Sequence, residues 1–102
     1  MKNMNKHQQI INDLEKRLLD SPIDYDIFTN LEYGPKYHLT GEIDIYATTG
    51  KYSLFFEIKS SNNDKNYHKA IKQLLRIKDR YSSLNQRNWY FFASKGLIKR
   101  VI

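Results

Sequence analysis

The sequence predicts an α/β protein with the element order αβββαβ, a mixed central sheet flanked by helices, in a single domain over residues 1–102. Three patterns lead to that expectation. Apolar residues recur at helical spacing in the first twenty residues, and two alternating apolar runs then meet at Gly50. A second helical pattern separates those runs from the apolar stretch Trp89–Ala93.

Taken in order, Ile10, Ile11, Leu14, Leu18 and Leu19 make an apolar stripe on a helix from about Asn3 to Asp20. Ser21-Pro22 ends it, because a residue before proline is biased away from helix. Ile23, Tyr25 and Ile27 alternate with polar residues and predict a first strand to about Asn30. "LEYGPKYHL" reads as a loop marked by Gly-Pro. A hairpin follows, roughly Glu42–Thr48 and Tyr52–Lys59, and "SSNNDKN" breaks the pattern with several candidate N-caps. Tyr67, Ile71, Leu74, Leu75 and Lys78 define a second helix ending near Arg80 or Tyr81. "SSLNQRN" is loop and "WYFFA" a buried strand, while "SKGLIKRVI" fits a turn with either a short helix or a strand.

Composition narrows the function classes. The chain is 40% hydrophobic and 14% aromatic, as a folded globule requires. It holds no apolar run near the roughly 20 residues needed to span a bilayer, so no membrane partner is expected. The polar, helical N-terminus does not read as a secretory signal. With no cysteine, disulfides, thiol catalysis and cysteine-based zinc sites are excluded, and an intracellular, cytoplasmic setting is expected. The formal net charge of +6 suits a polyanionic partner such as nucleic acid, or ordinary solubilising charge.

The hairpin carries the chemistry. A two-residue loop of Gly50-Lys51 suits a type II′ turn and sets the register. Ala47 then meets Leu54, Ile45 meets Phe56 and Ile43 meets Ile58, three apolar pairs on one face. The same register opposes Asp44 to Glu57 and Glu42 to Lys59. Like charges directly opposite one another are destabilising. Such a pair is tolerated if one acid takes a proton, if Lys59 neutralises it in part, or if a divalent cation lies between them. Oxygen-only donors favour a hard ion, Mg²⁺ or Mn²⁺.

These residues resemble the PD-(D/E)XK nuclease superfamily, in which an Asp on one strand precedes Glu-x-Lys on the next. Here the counterparts are Asp44 in "GEIDI" and Glu57-Ile58-Lys59 in "EIK". The wording "GEIDI…LFFEIKS" is particularly similar to the small Holliday-junction-resolvase-like branch. Glu42 stands near the first acid, where the superfamily's name has Pro. The resemblance implies a restriction-endonuclease-like core. It also implies Mg²⁺ or Mn²⁺ held by Asp44, Glu57 and the backbone carbonyl of Ile58. Lys59 would orient or help deprotonate the attacking water and stabilise charge on phosphate, leaving 5′-phosphate and 3′-hydroxyl ends. Glu42 would hold a second water or pair with Lys59.

Many members also carry an acid on the first helix. Glu15 is the counterpart, with a surface salt-bridging Glu as the other reading. Several families place a Gln of the second helix in the active site, and Gln73 is the candidate, or else an exposed helix former. Lys65, Lys69, Lys72 and Arg76 form one basic stripe on that helix, facing either phosphates or solvent. Lys36, Tyr37 and His38 in the loop before Asp44, together with Ser60, complete the candidate nucleic-acid contacts. His7, His38 and His68 lack metal-ligand spacing and read as surface or rim residues. The implied activity is a metal-dependent endodeoxyribonuclease acting as a homodimer on branched, duplex or single-stranded DNA. An RNA substrate, or a binding module without catalysis, are the alternatives. A virus or mobile element acting in a host cell fits such a minimal nuclease.

Overall fold

The computed structural model describes residues 5–34, 41–81 and 87–101, so the expectations for Lys36, Tyr37 and His38 lie outside the described residues. The elements are α1 (Lys6–Leu19), β1 (Asp26–Tyr33), β2 (Gly41–Thr48), β3 (Tyr52–Ile58), α2 (Asp64–Tyr81), β4 (Arg87–Ser94) and β5 (Leu97–Arg100). The strands form one mixed sheet in the order β1-β2-β3-β4-β5. The β3–β4 pair is parallel and the other three are antiparallel. Parallel pairing needs a long crossover, and α2 supplies it.

Local chemistry explains the boundaries. Asn5 caps α1 by accepting the Gln8 amide at 2.8 Å, and Asn63 does the same for Asn66 at the start of α2. Gly50 has the positive φ, +87°, that the first central position of the hairpin turn requires. The Thr49 amide then donates to the Tyr52 carbonyl at 3.1 Å, closing the turn in the expected register. The undecided tail is a strand: Lys95-Gly96 turns the chain with φ +72° at Gly96, and β5 returns along β4.

Alternate residues of β3 face opposite ways, and the core divides accordingly. Leu54, Phe56 and Ile58 pack with Ile45, Ala47 and the α1 residues Ile11 and Leu14. Phe55 packs on the other side with Tyr90 and the α2 residues Leu74 and Ile77. The sheet is therefore sandwiched between the two helices. No helix among the described residues is long and apolar enough to cross a membrane.

Two expectations need correction. The first strand does not end at Asn30; the chain passes through φ +52° there and continues to Tyr33, still paired with β2. Left-handed φ is tolerated by Asn better than by most side chains, and it breaks the simple alternation of the strand. Before Asn30, Ile27 belongs to the α1 side; after it, Leu31 and Tyr33 belong to the α2 side. The partner strand turns with it. Ile43 packs with Phe55, Leu74 and Ile77 instead of sharing a face with Ile45. The β2–β3 ladder accordingly stops at Ile45–Phe56, and neither an Ile43–Ile58 nor an Asp44–Glu57 rung forms.

Gly41 faces Tyr33 in the β1–β2 ladder, and a Cβ added there would lie 2.6 Å from the Tyr33 hydroxyl oxygen. Gly41→Ala should therefore cost about 1–3 kcal/mol of stability by overpacking. In a Tyr33→Leu background the same substitution should cost much less, which a double-mutant cycle by denaturant unfolding would read. Equal costs in both backgrounds would contradict this packing.

Candidate active site

Beyond Ile45 and Phe56 the strands β2 and β3 part, and the main-chain groups facing the gap need other partners. The Ile58 amide finds one in Asp44, donating to Oδ2 at 2.8 Å in a buried contact. A hydrogen bond to a charged group of this kind contributes about 1.5–3 kcal/mol. Ile58 is held on its other side by parallel pairing with Ala93, and the Lys59 amide donates to the Ala93 carbonyl at 3.0 Å. The three residues Glu57-Ile58-Lys59 are thus fixed by main-chain and carboxylate contacts at the end of β3.

Asp44 and Glu57 are both buried, 5% and 3% exposed, despite their charge. Buried carboxylates are costly unless paired or neutralised. His7 Nε2 on α1 lies 3.3 Å from Asp44 Oδ2. Lys59 Nζ lies 3.6 Å from Glu57 Oε1, approaching from the α2 side. Glu57 Oε2 is buried and meets no hydrogen-bond donor among the described residues. Burial first, then the charge of Asp44, push the Glu57 carboxyl up to about 8, with Lys59 opposing. A proton held on Glu57 thus relieves the repulsion between the two acids, one of the ways by which such a pair is tolerated.

Glu42 sits at the exposed rim of this cluster, paired in the β1–β2 ladder with Glu32. Its carboxyl is raised by partial burial, then by Asp44 and Glu32, while His7 lowers it. On the α2 side, Lys59, Lys69, Lys72, Gln73 and Arg76 line an open pocket of about 260 Å³. Lys69, Lys72, Gln73 and Arg76 share one helix face, adjoining the buried stripe of Ala70, Leu74 and Ile77. Gln73 Oε1 is buried there without a hydrogen-bond partner among the described residues.

The sequence candidates distribute as follows. Asp44, Glu57 and Lys59 converge, and Gln73, Lys69, Lys72 and Arg76 adjoin Lys59. Lys65 is exposed in the first turn of α2 and does not line that pocket. Ser60 is exposed and borders a separate hollow beside α1. Glu15 is half-buried on α1, about 12 Å along the helix from His7. The α1 residue that meets Asp44 is His7, half-exposed at the rim of the site, where the sequence places it at the surface or rim. Its signal was present: His7, Ile11, Leu14 and Leu18 follow one helical stripe, so the histidine extends the buried face.

The donor set fits a hard divalent cation. Asp44 and Glu57 lie together, and one oxygen is buried without a donor among the described residues. Among the described residues no group of three or more His, Cys, Asp or Glu converges as a metal cage. Mg²⁺ does not demand one, since it commonly keeps several waters and takes one or two carboxylates plus phosphate oxygens. No family model matches the chain, and no curated protein matches it.

The raised Glu57 carboxyl has a measurable consequence. Between its ordinary 4.5 and about 8 the folded chain holds a proton that the unfolded chain has released. The associated stability is complete below 4.5 and is lost as pH rises through the folded value. In EDTA, the thermal midpoint should fall from pH 5 to pH 8, and Glu57→Gln should flatten that fall by keeping the position neutral. Superimposable pH profiles for the two proteins would contradict the assignment.

Proposed function

We propose that the chain is a metal-dependent endonuclease of the PD-(D/E)XK type that hydrolyses DNA phosphodiester bonds. What supports this reading is one observation: Asp44, Glu57 and Lys59 meet where β2 and β3 part, with a buried Glu57 oxygen that meets no donor among the described residues. The five-stranded mixed sheet between two helices suits the restriction-endonuclease-like core that this reading requires.

In this reading Asp44, Glu57 and the Ile58 carbonyl hold Mg²⁺ or Mn²⁺. A cation so bound activates water and screens the charge of a phosphodiester. Asp44 is held by the Ile58 amide, so it meets the cation already oriented. Glu57 would release its proton to the solvent and offer the cation its buried oxygen. Lys59 sits between Glu57 and the α2 pocket, positioned to orient the attacking water and to stabilise charge on the phosphate. Lys69, Lys72 and Arg76 bring positive charge to the same pocket, where a phosphate would balance it. Gln73 offers an amide to that phosphate or to the water.

Branched DNA is the substrate proposed first, cut by a homodimer whose two sites face opposed strands. The test is cleavage of junction, flap, duplex and single-stranded DNA, and of RNA, with Mg²⁺, Mn²⁺ or EDTA. We expect metal-dependent products bearing 5′-phosphates, and losses of about 10²-fold or more in Asp44→Asn and Lys59→Ala. Binding without cleavage of any substrate, or full activity in both variants, would overturn the proposal. A strictly monomeric protein in sedimentation, cutting junctions no faster than duplex, would remove the branched substrate and the dimer from it.

A further inference from the structure

Ser60 follows Lys59 directly, yet the two border different hollows. Lys59 opens to the α2 side, whereas Ser60 lines a pocket of about 190 Å³ beside α1, together with Lys6, Gln9, Asp13 and Lys95. That pocket shares Ile10, Asp13 and Lys95 with a smaller hollow reaching Arg17 and Ser94. The two make one groove between α1 and the β4–β5 turn. It meets the end of β3 from the face opposite the Lys69–Arg76 pocket.

Resting on the nuclease reading of the adjoining site, we propose that this groove binds the phosphate backbone of the same nucleic-acid strand, on the far side of the bond to be cut. Three features of the groove select a polyanion. Lys6, Arg17 and Lys95 outnumber the single acid Asp13, and neither Lys6 nor Lys95 forms an ion pair among the described residues. Helix α1 opens with Lys6 and has no acid in its first turn, the reverse of what its dipole favours; α2, by contrast, has Asp64 there. The lysine and the helix N-terminus therefore attract an anion together. Finally, the Ser94 hydroxyl in the groove wall has no hydrogen-bond partner among the described residues, and turned outward it would donate to a phosphate oxygen seated there.

A strand seated in both hollows crosses the end of β3 and continues on either side of Lys59. The bond presented to Asp44, Glu57 and Lys59 is then an internal one, with nucleotides required on both flanks. A chain end, having phosphates on one side only, would fill one hollow and bind more weakly.

The experiment measures binding of the whole protein to a fluorescein-labelled single-stranded DNA by anisotropy, in EDTA, across a salt series. For Lys6→Ala/Lys95→Ala we expect about 10-fold weaker binding. We also expect a plot of log affinity against log salt that is shallower by about 1.4, from about 0.7 per lost phosphate contact. Lys51→Ala, an exposed lysine in the hairpin turn, serves as the control and should match the wild type. Lys6→Glu/Lys95→Glu should weaken binding further, and an unchanged thermal midpoint shows that each variant is folded. A wild-type slope and affinity in the Lys6/Lys95 variants would overturn the proposal, as would no measurable binding by the wild type. The nuclease reading is scored separately, by hydrolysis of bis(p-nitrophenyl) phosphate by the wild type with Mn²⁺. The small ester reports on the cutting site whether or not the groove binds DNA.

Discussion

The Ile58 amide donating to the Asp44 carboxylate is the contact on which the rest of the structure turns. A buried main-chain N–H must find a partner, and in the interior of a sheet the neighbouring strand normally provides it. Here β2 has turned away, because the left-handed Asn30 and the inversion beside it send Ile43 to the α2 side. A side-chain oxygen takes the place of a ladder carbonyl. The sheet remains satisfied, but the substitute carries negative charge, and it lies against Glu57. Sheet closure and candidate site are therefore one feature.

From that contact the electrostatics follow. Two carboxylates in a space nearly closed to water cannot both stay ionised at neutral pH without a cation near them. His7 approaches Asp44 from α1 and Lys59 approaches Glu57 from the opposite side, and still one buried Glu57 oxygen meets no donor among the described residues. In the proposed reading a divalent ion would replace the proton on Glu57 and satisfy both acids together. Replacing the two acids by aliphatic side chains would relieve their repulsion but leave the buried Ile58 amide without its partner.

Much of this was legible in the sequence, and the exceptions share a cause. Gly50-Lys51 specified the turn, and the Ala47–Leu54 and Ile45–Phe56 pairs follow from it by counting. Counting fails at Asp44, because strand parity assumes extended backbone throughout and a single αL residue on the adjacent strand reverses it. Nothing in "TNLEY" separates that event from ordinary alternation, although Asn is among the few residues suited to it. The basic stripe of α2 was visible as spacing, but only the end of β3 decides that Lys69, Lys72 and Arg76 line the pocket and Lys65 does not. The rim position of His7 is legible in the sequence, but its partner Asp44 lies 37 residues away, beyond any local pattern. The groove beside α1 was invisible for the same reason, being built from the first turn of one helix and a turn near the far end of the chain.

Proton release on metal binding tests the central claim most directly. Titrating Mn²⁺ into the protein at pH 7 by calorimetry, in buffers of different ionisation enthalpy, counts the protons displaced. If the Asp44–Glu57 pair holds a proton that a cation replaces, binding should release close to one proton, and Glu57→Gln should abolish that release while weakening the binding. Binding with no proton released, or a release unchanged in Glu57→Gln, would contradict it.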